Sequence, residues 1–210
     1  MVPTTFWSVK GGTGTTVVAA VAAVVRARRA PTLLVDRRGD LPAVLGVPEP
    51  TGPGVADWCA SVASPPEALA RLEVPVQPHL ALLPAGSGGA APAARAAELA
   101  VRLDQDRRDV VVDLGVPGVD EPDPPGRSLL VVRPCYLALR RACRSPRRID
   151  AVVVVLDAGR ALGARDVAAA LDRPLAATVE VDPAVARAVD AGILLRRPPG
   201  AIGRSVARLW

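Results

Sequence analysis

Short apolar runs alternate with longer stretches of helical periodicity along this chain. The runs of strand length are Thr4–Val9, Thr32–Val35, Leu80–Leu83, Val110–Val112, Ser128–Val132, Ala151–Leu156 and Leu175–Val179. The helical stretches are Thr15–Arg29, Val55–Ala63, Pro92–Asp104, Leu137–Arg144, Ala164–Leu171, Pro183–Ala191 and Gly200–Leu209. Strands that alternate with helices are typical of βαβ units. The pattern therefore predicts an α/β fold with a mostly parallel central sheet and helices on both faces.

The chain length and the loops favour one domain. A chain of 210 residues suits a single α/β domain with a sizeable core. The segments Gly39–Pro66 and Val116–Gly126 are rich in Pro and Gly, but both are too short to link two domains. We therefore expect residues 1–210 to form a single domain.

Composition and charge narrow the class of protein. Arginine replaces lysine almost everywhere, and the formal net charge is +5. The arginines are scattered and no basic block is interleaved with aromatic residues, so the composition does not favour DNA as a partner. The cysteines Cys59, Cys135 and Cys143 lack metal-ligand spacing, and the N-terminus has no signal-peptide pattern. These features predict a reduced, cytoplasmic protein.

A glycine-rich segment follows the first predicted strand. It consists of Lys10, Gly11, Gly12, Thr13, Gly14, Thr15 and Thr16, and a helical stretch follows it. Glycines allow a backbone to curl so that its N–H groups converge on phosphate oxygens, and the N-terminus of a helix favours an anion. A simple turn between strand and helix is the alternative. Context and charge favour a phosphate loop, because Lys10 is the only lysine of the chain.

The sequence K-G-G-T-G-T-T of this segment resembles the deviant Walker A motif of the ParA/MinD superfamily, K-G-G-x-G-K-[ST]. The resemblance implies a three-layer P-loop fold, ATP and Mg²⁺ as cofactors, and a homodimer that sandwiches the nucleotides. It assigns Lys10 to the phosphates bound by the second subunit and Thr16 to the magnesium ion. Thr15 stands where the family has its second lysine, so we expect ATP hydrolysis to be weak or lost.

A second segment resembles the first switch of the same superfamily. Thr32–Asp36 followed by Gly39–Leu41 is similar to its second strand and the loop that follows. Asp36 matches the first acidic residue of that motif, whereas the second falls at Arg38. Asp40 lies close enough in sequence to substitute for it. The catalytic candidates that the resemblance implies are Lys10, Asp36 and Asp40.

Two aspartates end later strands that also resemble the family. Asp109–Gly118 is similar to the Walker B strand and second switch, and an aspartate at the end of a buried strand is well placed to hold Mg²⁺ through water. Asp113 is therefore a metal candidate together with Thr16, with a turn or helix-cap carboxylate as the alternative. Val152–Asp157 resembles the strand that ends in the base-recognising asparagine, and Asp157 can accept a hydrogen bond from an adenine amino group.

The loop keeps the first lysine of the motif and lacks the second. In this it resembles the loops of the CpaE/TadZ-type proteins of Tad pilus assembly, and septum-site-determining proteins of actinobacteria are similar. That resemblance implies a localisation or scaffold factor that works with pilus-assembly or polar machinery. One alternative is an active partition ATPase that binds DNA nonspecifically through surface arginines.

The other alternative is a MinD-like protein that cycles on the inner face of the membrane. Ile202, Val206 and Leu209 fall on one face of the C-terminal helix, which is the pattern of a small interfacial helix. Packing of this face on the domain explains the same pattern.

Overall fold

Within residues 2–61, 63–89, 91–118, 121–123 and 126–210, the computed structural model forms one sheet of eight strands. The strands are β1 (Thr4–Trp7), β2 (Thr32–Asp36), β3 (Val74–Gln77), β4 (Leu80–Leu83), β5 (Asp109–Gly115), β6 (Arg127–Val132), β7 (Ala151–Leu156) and β8 (Leu175–Glu180). Their order is β3-β4-β2-β5-β1-β6-β7-β8, and only the β3–β4 pair is antiparallel. The predicted α/β fold is confirmed. Parts of the predicted segments Val55–Ala63 and Val116–Gly126 lie outside the described residues.

Helices fill most connections between the strands. They are α1 (Thr15–Ala27), α2 (Leu41–Leu45), α3 (Val55–Ala60), α4 (Ala93–Gln105), α5 (Tyr136–Cys143), α6 (Ala164–Leu171), α7 (Pro183–Asp190) and α8 (Gly200–Val206), with 3₁₀ helices at Pro66–Leu72 and Ala207–Leu209. The sequence pattern did not predict α2, β3 or the first 3₁₀ helix. Strand β3 lies at the edge of the sheet and contains Pro75. Proline is tolerated there because an edge strand can spare a backbone donor.

Side chains of the strands alternate between the two faces of the sheet, and each face carries a layer of helices. On one face, Phe6 and Leu34 are buried together with α1, α2, α7 and α8. On the opposite face, Leu33 packs with residues of α3 and α4, and Trp7 packs with residues of α5 and α6. This arrangement explains why the central strands are apolar at consecutive positions, since both faces are covered.

The C-terminal helix packs on the core through its apolar face. Ile202, Val206 and Leu209 are at most 5% exposed and belong to the core on the α1 side of the sheet. The guanidinium of Arg26 in α1 lies 5.7 Å from the ring centre of Trp210. The packing supports the domain-packing explanation of this face, because side chains buried in the core are not available to a membrane. No helix in the described ranges is long and apolar enough to cross a membrane.

The order of the strands reverses direction at β1. The chain passes from β1 to β2 on one side of the sheet, whereas β6, β7 and β8 follow on the other side. Open α/β sheets bind ligands in the crevice outside the carboxyl ends of the strands at such a point. The segments after β1, β2 and β5 meet at this edge of the sheet, and they carry most of the candidate residues.

Candidate nucleotide-binding site

The backbone of the glycine loop leaves an open cradle at the N-terminus of α1. Gly12 and Gly14 have φ angles of +74° and +89°, in the left-handed region that favours glycine. A Cβ atom built on Gly11, Gly12 or Gly14 would meet no atom within 4 Å. The carbonyl of Gly14 accepts the N–H of Val18 at 2.9 Å, so α1 starts directly after the loop. The local geometry therefore suits a phosphate group.

Lys10 stands at the entrance of the loop without an acidic partner. Its Nζ atom lies 3.4 Å from the carbonyl oxygen of Gly11. No carboxylate in the described part of the chain forms an ion pair with it. The ammonium group is therefore available to an external anion.

The threonines of the loop are divided between the interior and the site. Thr13 and Thr15 are 1% and 5% exposed, and their hydroxyl oxygens lie 2.9 Å apart. Thr16 is half-buried, and its hydroxyl interacts with the carboxyl group of Asp113. Thr15 therefore contributes an internal hydrogen bond and no charge at the loop.

Asp113 is a buried carboxylate at the centre of the site. Burial raises its pKa to about 6, while the hydroxyl of Thr16 lowers it and the charges of Asp36 and Asp40 raise it further. Its Oδ1 atom accepts the N–H of Gly115 at 3.2 Å. Its Oδ2 atom is buried and accepts no hydrogen bond from a described residue. An unpartnered oxygen beside a hydroxyl fits Mg²⁺, which prefers hard oxygen ligands.

Asp36 lies directly opposite Asp113 in the β2–β5 pair, and its oxygens hold the loop that follows β2. Oδ1 accepts the N–H groups of Arg38 at 2.9 Å and Gly39 at 2.7 Å, and Oδ2 accepts that of Leu41 at 3.0 Å. This arrangement makes Asp36 an organiser of the loop. Asp40 is exposed at the start of α2.

Arg38 connects the loop after β2 to the loop after β5. Its Nε atom donates to the carbonyl of Leu114 at 2.7 Å, and its Nη2 atom lies 2.6 Å from Oε2 of Glu121. Arg37 binds the other oxygen of Glu121 at 3.1 Å. Burial raises the pKa of Glu121, but the two guanidinium groups and the N–H of Gly118 outweigh it and lower the pKa below its ordinary value. We refer to Arg37, Arg38 and Glu121 as the switch clamp.

Arg147 holds the loop after β5 from its other side. Its guanidinium donates to the carbonyl oxygens of Gly118 at 2.6 Å, Glu121 at 2.5 Å and Pro122 at 3.1 Å. It also lies 3.7 Å from a carboxylate oxygen of Asp123. The described residues of this loop are thus fixed by arginines from two different segments.

Asp157 lies at the carboxyl end of β7, on the other side of β1. It is engaged by Arg133 at 3.4 Å and by Arg160 at 3.1 Å. Arg133, whose buried Nε atom has no partner among described residues, lines a cavity of about 300 Å³ together with Gly14 and Val17. The cavity extends from the glycine loop to the ends of β7 and β8. Asp157 therefore belongs to an ion-pair cluster next to this cavity.

The structure brings most of the candidate residues to one edge of the sheet. The candidates lie at or just after the carboxyl ends of β1, β2 and β5, which are neighbours in the sheet: Lys10, Thr16, Asp36, Asp40 and Asp113. The sequence did not predict that Glu121 pairs with Arg37 and Arg38. It also did not predict that Arg133 pairs with Asp157. The one sequence feature that pointed to the switch clamp was Arg38, which stands where the motif that this segment resembles has an acidic residue. No local pattern indicated Glu121 or Arg133.

No protein-family model and no curated protein matches the chain in sequence. The fold, in contrast, matches solved structures. The septum site-determining protein MinD of Pyrococcus horikoshii OT3, complexed with Mg-ADP, is 20% identical at a TM-score of 0.71, over 99% of this chain and 93% of that one. The cell division protein MinD of Aquifex aeolicus is 17% identical at a TM-score of 0.77, over 100% and 94%.

A third structure is the ATP complex of a McdA variant from Cyanothece. It is 15% identical at a TM-score of 0.70 and covers 100% of this chain and 95% of that one. At such low identities the similarity establishes the fold, which is that of the MinD- and ParA-type P-loop proteins.

Proposed function

We propose that this protein binds ATP with Mg²⁺ at the loop Lys10–Thr16 and acts as a nucleotide-responsive positioning factor. The observation that carries the proposal is the open glycine loop beside the buried, unpartnered oxygen of Asp113. In this proposal the loop backbone binds the phosphates, and Thr16 and Asp113 hold the metal ion. A bound Mg²⁺ neutralises phosphate charge. The Mg-ADP and ATP bound to the structural neighbours support the choice of ligand.

The same geometry supports slow or absent hydrolysis. Thr15 carries a neutral hydroxyl, which hydrogen-bonds with that of Thr13, and so places no ammonium group beside the phosphates. Arg38 stands where the superfamily motif has a second acidic residue, and the three N–H bonds to Asp36 tie that carboxylate to the loop. Charge that stabilises a transferring phosphoryl group is worth several powers of ten in rate. The protein would therefore hold ATP longer than it cleaves it.

We further propose that ATP assembles a homodimer through Lys10. The ammonium group of Lys10 has no acidic partner among the described residues, which supports a role toward the nucleotide of a second subunit. Asp157 would contact the base from its position beside the cavity at the glycine loop.

The process that we propose is positioning of Tad pilus-assembly, septum or other polar machinery in the cytoplasm, as in the CpaE/TadZ-type branch. The combination of a retained Lys10 and a missing second lysine supports this branch. A positioning factor requires only that ATP changes its oligomeric state, and a slow reaction then sets the lifetime of that state.

Light scattering after size exclusion tests the dimer and the turnover together. We expect a monomer without nucleotide, a dimer with Mg²⁺-ATP, and phosphate release slower than about one turnover per minute, which is nearly three orders of magnitude below the ~10 per second that is typical of enzymes. Lys10→Ala should still bind ATP but remain monomeric. Rapid Mg²⁺-dependent turnover in the wild type, lost in Lys10→Ala, would overturn the assignment as a slow switch.

A further inference from the structure

The segment around α5 is rich in arginine and contains no acidic residue. Between Gly126 and Ile149 the sequence has seven arginines and no Asp or Glu. Four of these arginines are engaged within the fold: Arg127 with the carbonyl of Leu209, Arg133 with Asp157, Arg147 with Asp123 and Arg148 with Asp150. The other three lie on α5 or at its end: Arg140, Arg141 and Arg144. The described residues therefore provide partners for the neighbouring arginines but no carboxylate partner for those of α5.

The three remaining arginines form an exposed strip. Arg140 and Arg144 are four residues apart and thus lie on the same side of the helix, and neither pairs with a described carboxylate. Within the described part of the chain, Arg141 contacts the carbonyl oxygen of Val9, at 3.5 Å. Val9 directly precedes Lys10, so the strip adjoins the glycine loop.

Two large side chains share the exposed side of α5. Tyr136, the only tyrosine of the chain, is 76% exposed, and Leu137 is 49% exposed. They precede Arg140 and Arg141 by one helical turn, while Ala138 is buried against the sheet. A solvated basic surface needs no exposed tyrosine or leucine. Aromatic residues and arginine next to each other are typical of protein–protein interfaces.

We propose that the exposed face of α5 binds an acidic, amphipathic segment of a partner protein. The α5 face consists of Tyr136, Leu137, Arg140, Arg141 and Arg144. Carboxylates of the partner would pair with the guanidinium groups, and its apolar side chains would cover the tyrosine and the leucine. Charge complementarity identifies the partner as acidic, and the two exposed large side chains favour a protein over the phosphate track of DNA, which offers them no apolar contact. The inference does not depend on nucleotide binding.

Fluorescence anisotropy of a labelled, acidic helical peptide tests this proposal. The probe carries Glu and Leu in amphipathic order, and a scrambled peptide of the same composition is the reference. We expect saturable binding of the patterned peptide to the full chain, about tenfold weaker for Arg140→Glu/Arg144→Glu. Tyr136→Ser/Leu137→Ser, which leaves the charge unchanged, should weaken it by a similar factor.

Arg165→Glu/Arg173→Glu is the matched control, because it reverses two exposed arginines on or near the neighbouring helix α6. Its affinity for the peptide should stay within about twofold of the wild type, as expected for a rim charge outside the contact. Equal losses in the control and in the α5 variants would contradict the proposal. Tight binding of a DNA duplex or of anionic vesicles would also contradict it, if that binding requires Arg140 and Arg144 and is unchanged in Tyr136→Ser/Leu137→Ser.

Discussion

The hydroxyl oxygens of Thr13 and Thr15 lie 2.9 Å apart, and both side chains are buried at the base of the glycine loop. This hydrogen bond explains how the loop keeps its shape without the lysine that the superfamily motif has at position 15. Position 15 therefore adds no positive charge at the loop, which receives positive charge from the backbone N–H groups, the N-terminus of α1 and Lys10.

Replacing Thr15 with lysine should restore the missing charge. A hydrogen bond to a charged group contributes about 1.5–3 kcal/mol, so Thr15→Lys should tighten ATP binding about tenfold or more in calorimetry. Thr15→Met has a similar length and no charge, and it serves as the control. An affinity of Thr15→Lys equal to that of Thr15→Met would show that position 15 does not face the phosphates.

Asp113 should make the stability of the protein depend on pH. Burial raises its pKa from 3.8 to about 6. The buried site tolerates the protonated carboxyl of Asp113 better than the ionised one. The free energy of unfolding is therefore undiminished by this group below pH 3.8, and it falls as the pH rises through about 6. Asp113→Asn escapes this loss, worth up to about 3 kcal/mol. In urea unfolding, the free energy of unfolding of the variant relative to that of the wild type should be higher at about pH 7.5 than at about pH 4.5.

The exposed Asp104 provides the control for this comparison. Asp104→Asn removes a carboxylate that is exposed to solvent, and it controls for the loss of one negative charge. An advantage of Asp113→Asn that is the same at both pH values would contradict the assignment of a raised pKa.

The switch clamp should hold the loop after β5. Glu121→Gln removes the charge that binds Arg37 and Arg38, so the backbone amides of Val116, Gly118 and Glu121 should exchange hydrogen faster. The effect of the charge should itself disappear in acid. A carboxyl group with a lowered pKa stabilises above its ordinary pKa, and this contribution is lost as the pH falls through the lowered value.

Asp123→Asn is the control for the clamp, because Asp123 belongs to the same loop and is 52% exposed. We expect little change in its exchange rates. Exchange that accelerates equally in Glu121→Gln and Asp123→Asn would show that the clamp does not order the loop.

The packed C-terminal helix should contribute to stability. Leu209 is 5% exposed, so Leu209→Ala should lower the free energy of unfolding by about 2 kcal/mol. Ile193, which is 41% exposed, provides an apolar control whose replacement by alanine should cost less than about 1 kcal/mol. Binding of the wild type to anionic vesicles, lost in Leu209→Ala without a change in stability, would favour the interfacial helix instead.

The sequence pattern predicted those helices and strands whose apolar residues recur at the spacing that places them on a face toward the core. Strand β3 escaped prediction because its four residues include Pro75 and pair only at the edge. The start of α7 was predictable, since Asp182 accepts the N–H of Ala184 in front of a helix-opening proline. Local chemistry of this kind is visible in sequence, whereas edge pairing depends on the neighbour.

The glycine loop was likewise predictable, because all its features lie within one short continuous segment, Lys10–Thr16. The surroundings of the candidate site were not. Arg38 and Glu121 meet across 83 positions of sequence, and Arg133 meets Asp157 across 24. Such pairs are created by the order of the strands, which brings loops together that no periodicity connects.

Calorimetric titration with Mg²⁺-ATP tests the central claim most directly. We predict saturable binding near one nucleotide per chain for the wild type and for Gly52→Ala, where a Cβ atom has open space. Binding should be lost in Gly14→Ala, because the φ angle of +89° is strained for any residue with a Cβ atom. Absence of heat with both ATP and ADP in the wild type, or equal binding by Gly14→Ala, would contradict a nucleotide site at this loop.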